Sequence, residues 1–156
     1  MIRVNDAHHL QVGDRTWWGE YTTEGTISPE AAAAIAEQLG HPFDFQRRLF
    51  TVRFESGWSV SVVWGSMTYS DNHDHGLGRG PLPPFIETPE LVEVGVLHKD
   101  RENLQPDGDP MGYMEADALN SLLDFVSTLA TTAQVQFGAI EDEADPQARW
   151  VYDRGQ

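Results

Sequence analysis

The sequence predicts an α+β domain: an antiparallel sheet built around a hairpin at residues 47–65, a C-terminal helix packed on one face, and a short helix at 28–39. Two observations carry this reading. Residues 47–65 read RRLFTVRFESGWSVSVVWG, with period-2 alternation on both sides of Glu55-Ser56-Gly57. Later, Leu119, Leu122, Leu123, Val126, Leu129 and Ala130 recur at spacings of three and four, one continuous helical stripe. Strict alternation marks half-buried strands, and a 3.6 period marks an amphipathic helix.

The hairpin register follows from its turn. A two-residue Ser56-Gly57 loop pairs Phe54 with Ser59 and sets aromatic residues against hydroxyls. A three-residue loop pairs 54 with 58, 52 with 60 and 50 with 62, which collects the large side chains on one face. Gly57 then takes the third loop position, where φ is positive and glycine enters without steric penalty.

The remaining elements follow in chain order. Met1–Val4 and Leu10–Tyr21 form a short β-rich stretch with Trp17-Trp18-Gly19. Adjacent strand residues point to opposite faces, so the two tryptophans separate. Burial beneath a loop is the expected fate of the outer ring, and a binding anchor is the functional alternative.

Ser28-Pro29-Glu30 supplies an N-cap, a first-turn proline and a dipole-favoured acid. Gly40 and Pro42 end that helix, whose thin apolar face (Ile35, Leu39) suits the edge of the core. Residues 66–90 show no periodicity and are rich in glycine and proline. Such long irregular loops are usually functional or disordered. Leu91–Leu97 restores a strand, apolar on both faces and so expected in the sheet interior. His98–Asp109 is turn-rich and polar. The second helix is expected over about Glu115 to Ala130. Gln134–Phe137 reads as a short last strand, residues 140–146 as a solvated acidic tail segment, and Arg149–Tyr152 as apolar enough to dock again.

At 156 residues the chain is read as one domain, 1–156, able to bury about 70% of its unfolded surface. No run approaches the ~18 apolar residues of a membrane span, and MIRVNDAHHL lacks a signal peptide's apolar core. The absence of cysteine removes disulfides and thiolate chemistry. A cytoplasmic protein is the expectation. Net charge is −15, with Lys99 the only lysine, and residues 101–156 alone carry −8. A chain this acidic repels phosphate backbones, so direct nucleic-acid binding is not expected.

One cluster has the residue types for chemistry, Tyr69-Ser70-Asp71-Asn72-His73-Asp74-His75. In an extended segment Asp71, His73 and His75 project to one side, a plausible ligand set for zinc or Fe(II), to which His8-His9 or His98 adds only if folding brings them near. The alternative is a solvated loop whose Asp and Asn cap local backbone. Gly76-Leu77-Gly78-Arg79-Gly80 joins no clear strand to a helix and does not read as a phosphate loop. No arrangement suggests a nucleophile elbow, so no catalytic residue is assigned and no cofactor is expected.

FTVRFESGWSVSVVWGSMTYSDN, ETPELVEVGVLHKD and DPMGYMEADALNSLLDFV, in that order, resemble small uncharacterised accessory proteins of bacteriophages, particularly those of actinobacteria. The resemblance covers about residues 49–127, with Gly95 where alanine is common. It implies an intracellular phage protein and assigns no activity. ALNSLLDFVSTLATTAQVQF is also loosely similar to toxin-immunity proteins, which are acidic inhibitors.

Three functions are weighed on these grounds. The first is a non-enzymatic interaction protein that binds a basic host or rival protein through its acidic surface and exposed aromatics. Trp17, Trp18, Tyr69, Asp71, His73, His75, Arg79, Glu141, Asp142 and Glu143 are its candidate contacts. The second is a metal-dependent enzyme using Asp71, His73 and His75. The third is a small-molecule binder between the hairpin and the final helix, where Trp58 and Trp64 stack on a ring. Nothing in the sequence sets an oligomeric state.

Overall fold

The structure, a computed structural model, describes residues 1–6, 8–24, 28–40, 46–66, 68, 70, 87–100, 104, 110–137 and 151–153. Its strands are β1 (Ile2–Asp6), β2 (His9–Val12), β3 (Arg15–Trp18), β4 (Glu20–Glu24), β5 (Arg47–Arg53), β6 (Trp58–Gly65), β7 (Leu91–His98), β8 (Met111–Glu115), β9 (Gln136–Phe137) and β10 (Val151–Asp153). The helices are α1 (Pro29–Leu39) and α2 (Ala116–Ser127).

Five strands form the main antiparallel sheet in the order β4-β5-β6-β7-β8. A second sheet, β1-β2-β3, is separate, and β9 pairs with β10. The class is therefore α+β with a C-terminal helix, as the sequence predicts, but the N-terminal strands build their own sheet.

The hairpin adopts the three-residue turn. Val52 pairs with Val60 and Phe50 with Val62. The Phe54 amide donates to Trp58 O at 2.9 Å, and Gly57 has φ +97°. Phe50, Val52, Trp58, Val60, Val62, Trp64, Val92, Val94 and Val96 are all at most 2% exposed. Leu119, Leu122, Leu123 and Val126 of α2 close over them, with Ile2, Leu10 and Val12 of the small sheet in the same core. Each such burial contributes about 1.5–3 kcal/mol.

α2 packs on β6 and β8 and also reaches β2, so one helix fastens the two sheets together. Asn120 is the polar rivet. Its Nδ2 donates to Val12 O at 2.9 Å, and its Oδ1 accepts from Trp17 Nε1 at 2.9 Å. Between the sheets the chain bends at Gly19, where a Cβ would lie 2.1 Å from Thr51 O. Only glycine lets β4 approach β5 that closely.

α1 is capped as its sequence indicates. Ser28 Oγ accepts from Ala31 N, and Gly40 is left-handed at φ 76°. None of its residues is buried. α2 stops three residues earlier than expected because the amides of Thr128 and Leu129 turn back onto Phe125 O and Val126 O, three residues away, which tightens the last turn. The Ala130 carbonyl accepts from Trp58 Nε1 at 2.9 Å and from the Ala133 amide at 3.0 Å. β7 is interior as predicted, yet its second face is open: Leu97 is 50% exposed. β8 was not legible in the sequence. A bulge between its pairings with Val92 and Val94 leaves Tyr113 at φ 51° and half-exposed.

Candidate functional site

The two adjacent tryptophans separate as strand geometry requires. Trp17 turns inward and packs edge-on to Phe54 at 6.4 Å, its indole N–H held by Asn120 and the Arg15 guanidinium 4.5 Å from its ring centroid. Trp18 turns outward. It is 68% exposed rather than buried beneath a loop, because no described element covers that face of β3, the outer strand of its sheet.

Trp18 is nevertheless held. Gly13 and Asp14 turn β2 into β3 so that Val12 pairs with Arg15 and, three pairs on, His9 with Trp18. The two rings meet edge to face with centroids 3.8 Å apart. His9 is fixed in turn by Asp6: its Nδ1–H donates to Oδ2 at 2.9 Å, and Oδ1 accepts the His8 amide at 2.8 Å. The carboxylate accepts only, so this contact assigns the histidine proton to Nδ1. The His8 amide first, and His9 second, hold the Asp6 carboxyl below its ordinary value.

Asp6 also borders a cavity of about 410 Å³ in the wedge between the sheets, lined by Val4, Tyr21, Trp64 and Glu87 among others. Behind it Arg48, 11% exposed, donates to Glu87 Oε1 at 2.8 Å and to Gln46 Oε1 at 3.1 Å. Burial pushes the Tyr21 hydroxyl up, an effect that the nearby Arg48 opposes. Trp64 is 1% exposed, and its Nε1 has no hydrogen-bond partner. The ensemble is an oriented aromatic plate beside a partly apolar recess with a charged rim. Among the described residues it contains no nucleophile–base pair.

Of the residues singled out from sequence, Trp17 and Trp18 are placed, and only Trp18 is presented to solvent. Tyr69, Asp71, His73, His75, Arg79, Glu141, Asp142 and Glu143 lie outside the described residues. Among the described residues no group of three or more His, Asp or Glu side chains is arranged to hold a metal, and no helix is long and apolar enough to cross a membrane. Trp58 and Trp64 are 0% and 1% exposed, so neither ring is presented to bulk solvent, although Trp64 lines the cavity beside Asp6 and Trp58 borders a second one at the hairpin turn. Trp58 is flanked by His98 at 4.7 Å and Phe137 at 6.1 Å.

Sequence reasoning passed over Asp6, weighed His9 only as an added metal ligand, and passed over Tyr21 and Glu87. The first two had a readable signal, since the Gly13-Asp14 turn fixes the register that sets His9 against Trp18. The cavity had none, because it depends on how two sheets diverge. No family model, no curated protein and no solved structure matches this chain.

Proposed function

We propose that the protein is a non-enzymatic interaction module that binds a basic partner protein through the Trp18 surface. The observation that carries this reading is the 68% exposed Trp18 ring held edge-on by His9 at 3.8 Å. Aromatic anchors of this kind dominate interface energetics because they bury a large area and lose little side-chain freedom. Here the supporting histidine and Asp6 have already fixed the ring, so less order remains to be imposed on binding. The recess beside Asp6 suits a side chain of the partner next to the anchor.

The net charge of −15 selects the partner's sign and speeds encounter rather than holding the complex. The biological setting of this reading is an accessory protein of a bacteriophage that occupies a host or rival protein, in keeping with the resemblance over residues 49–127. Such a partner is a nucleic-acid-binding protein or an effector whose basic groove is occluded.

The electrostatic half is tested by neutralising Glu141, Asp142, Glu143 and Asp145 together and measuring binding kinetics of a captured partner across ionic strength. Screening acts over about 8–10 Å near physiological salt. Association slows with salt and in the mutant, while dissociation barely changes. Binding indifferent to both would remove the acidic surface from the account and leave the charge as a solubility device.

A further inference from the structure

The turn end of the β5–β6 hairpin carries a second cavity, of about 300 Å³, with the opposite electrostatic character. Register sets Arg53 opposite Ser59 and Ser59 opposite Leu97, a row across three strands. These residues alternate with the buried Val52, Val60 and Val96, so the row lies on the sheet face turned away from the core. Lys99 completes the lining at the end of β7. Its backbone amide donates to Gly57 O at 3.1 Å, and its stem lies across the turn, where a Cβ at Gly57 would come within 2.9 Å of Lys99 Cε. Gly57 thus serves the turn and also leaves room for the lysine.

Every polar side chain with free capacity in this cavity is a donor. Ser59 is 6% exposed with its hydroxyl still open to solvent, and among the described residues no hydrogen bond or ion pair engages that hydroxyl or the Lys99 ammonium. The Arg53 guanidinium is held by Glu20 at 3.3 Å, with both side chains more than 60% exposed, and an ion pair that open contributes little. Among the described residues no carboxylate lines the cavity, although the chain has 25 acids and 10 bases. An anionic acceptor offers these donors a stronger, charge-assisted bond than water makes.

We infer that this cavity binds an oxyanion carried on a small organic body, a carboxylate or a phosphate ester. Arg53, Ser59 and Lys99 donate to the oxyanion, and the half-exposed Leu97 contacts the body. The chain's overall charge repels anions, so retention rests on these three donors and not on the long-range field.

Because Lys99 is the only lysine, protein labelled with ¹³C,¹⁵N-lysine gives one lysine side-chain signal, a direct reporter. It is titrated with sodium isovalerate and, separately, with phenyl phosphate, ionic strength being matched with sodium chloride. The Lys99 signal shifts saturably with one or both probes. Arg53→Gln weakens the binding about tenfold or more, as expected for a lost charged hydrogen bond, and Ser59→Ala weakens it several-fold, both variants melting like the parent. Saturation by isovalerate alone identifies a carboxylate site, and by phenyl phosphate alone a phosphate site. A shift that stays linear for both probes, or an affinity unchanged in Arg53→Gln and Ser59→Ala, overturns the assignment.

Discussion

Trp58 and Trp18 lie on neighbouring sheets and meet opposite fates. Trp58 points at α2, is fully buried, and donates its indole proton to Ala130 O. Trp18 occupies the strand parity that Trp17 leaves over, because Trp17 has taken the inward position and its bond to Asn120. The contrast teaches what alternation does and does not decide. Parity assigns a side chain to a face, but only a second element makes that face a core. On β6 that element is α2; on the outer face of β3 no described element plays the role. A lone exposed apolar residue needs no explanation. A tryptophan braced by a histidine–carboxylate pair beside a cavity is a different object, and we read it as an anchor.

The largest way to test the contrast is to attack the covered face. Val62→Asp puts a charge where the side chain is 0% exposed. An unpaired buried charge costs several kcal/mol, against a typical stability of about 5–15. The expected outcome is loss of cooperative unfolding in a thermal or denaturant melt, and a soluble, cooperatively melting variant would refute the register.

Asn120→Ala comes next, because it removes the rivet that turns Trp17 inward. The Val12 carbonyl and Trp17 indole each lose a partner, at about 1–3 kcal/mol for each group left unsatisfied. A lowered denaturation midpoint should be accompanied by a red shift in tryptophan emission as the small sheet loosens from α2. An unchanged midpoint would show that packing alone holds the two sheets.

These two positions mark how far the sequence could be read. The hairpin was legible down to its turn length because Phe50, Val52, Val60 and Val62 alternate without interruption and Gly57 has one place to go. The C-terminal helix was legible from its stripe. β8 was hidden because Met111–Glu115 is short and bulged, with Tyr113 in a left-handed conformation that its residue type does not advertise. The separation of β1–β3 into their own sheet rests on Asn120 and Gly19, one distant hydrogen-bond pair and one close backbone approach. Neither leaves a period. The candidate surface was half legible: one outward tryptophan followed from parity, but its brace and the adjacent cavity needed the register and the divergence of two sheets.

A smaller effect concerns the brace itself. Asp6 has a folded-state pKa lowered by the His8 amide and by His9. The folded state therefore binds that proton less readily than the unfolded chain, and the contribution is present above the unfolded value. It is lost as pH falls through the lowered folded value, below the ordinary carboxylate range. Because the Asp6 side chain is largely exposed, the difference between wild type and Asp6→Asn in melting temperature should be small near neutral pH and vanish in acid. A gap that widens on acidification would contradict the assignment of donor and acceptor.

The central claim is that Trp18 is an anchor and not a structural ring, and Trp18→Ala tests it directly when stability and binding are measured on the same preparation. A partner is isolated from bacterial lysate on immobilised wild-type protein, and its dissociation rate is then compared on wild-type and Trp18→Ala surfaces. The account predicts a melting temperature within about 2 °C of wild type and dissociation at least about tenfold faster, the signature of a lost hot spot. Equal dissociation rates, or a melt lowered as far as that of a core substitution, would contradict it.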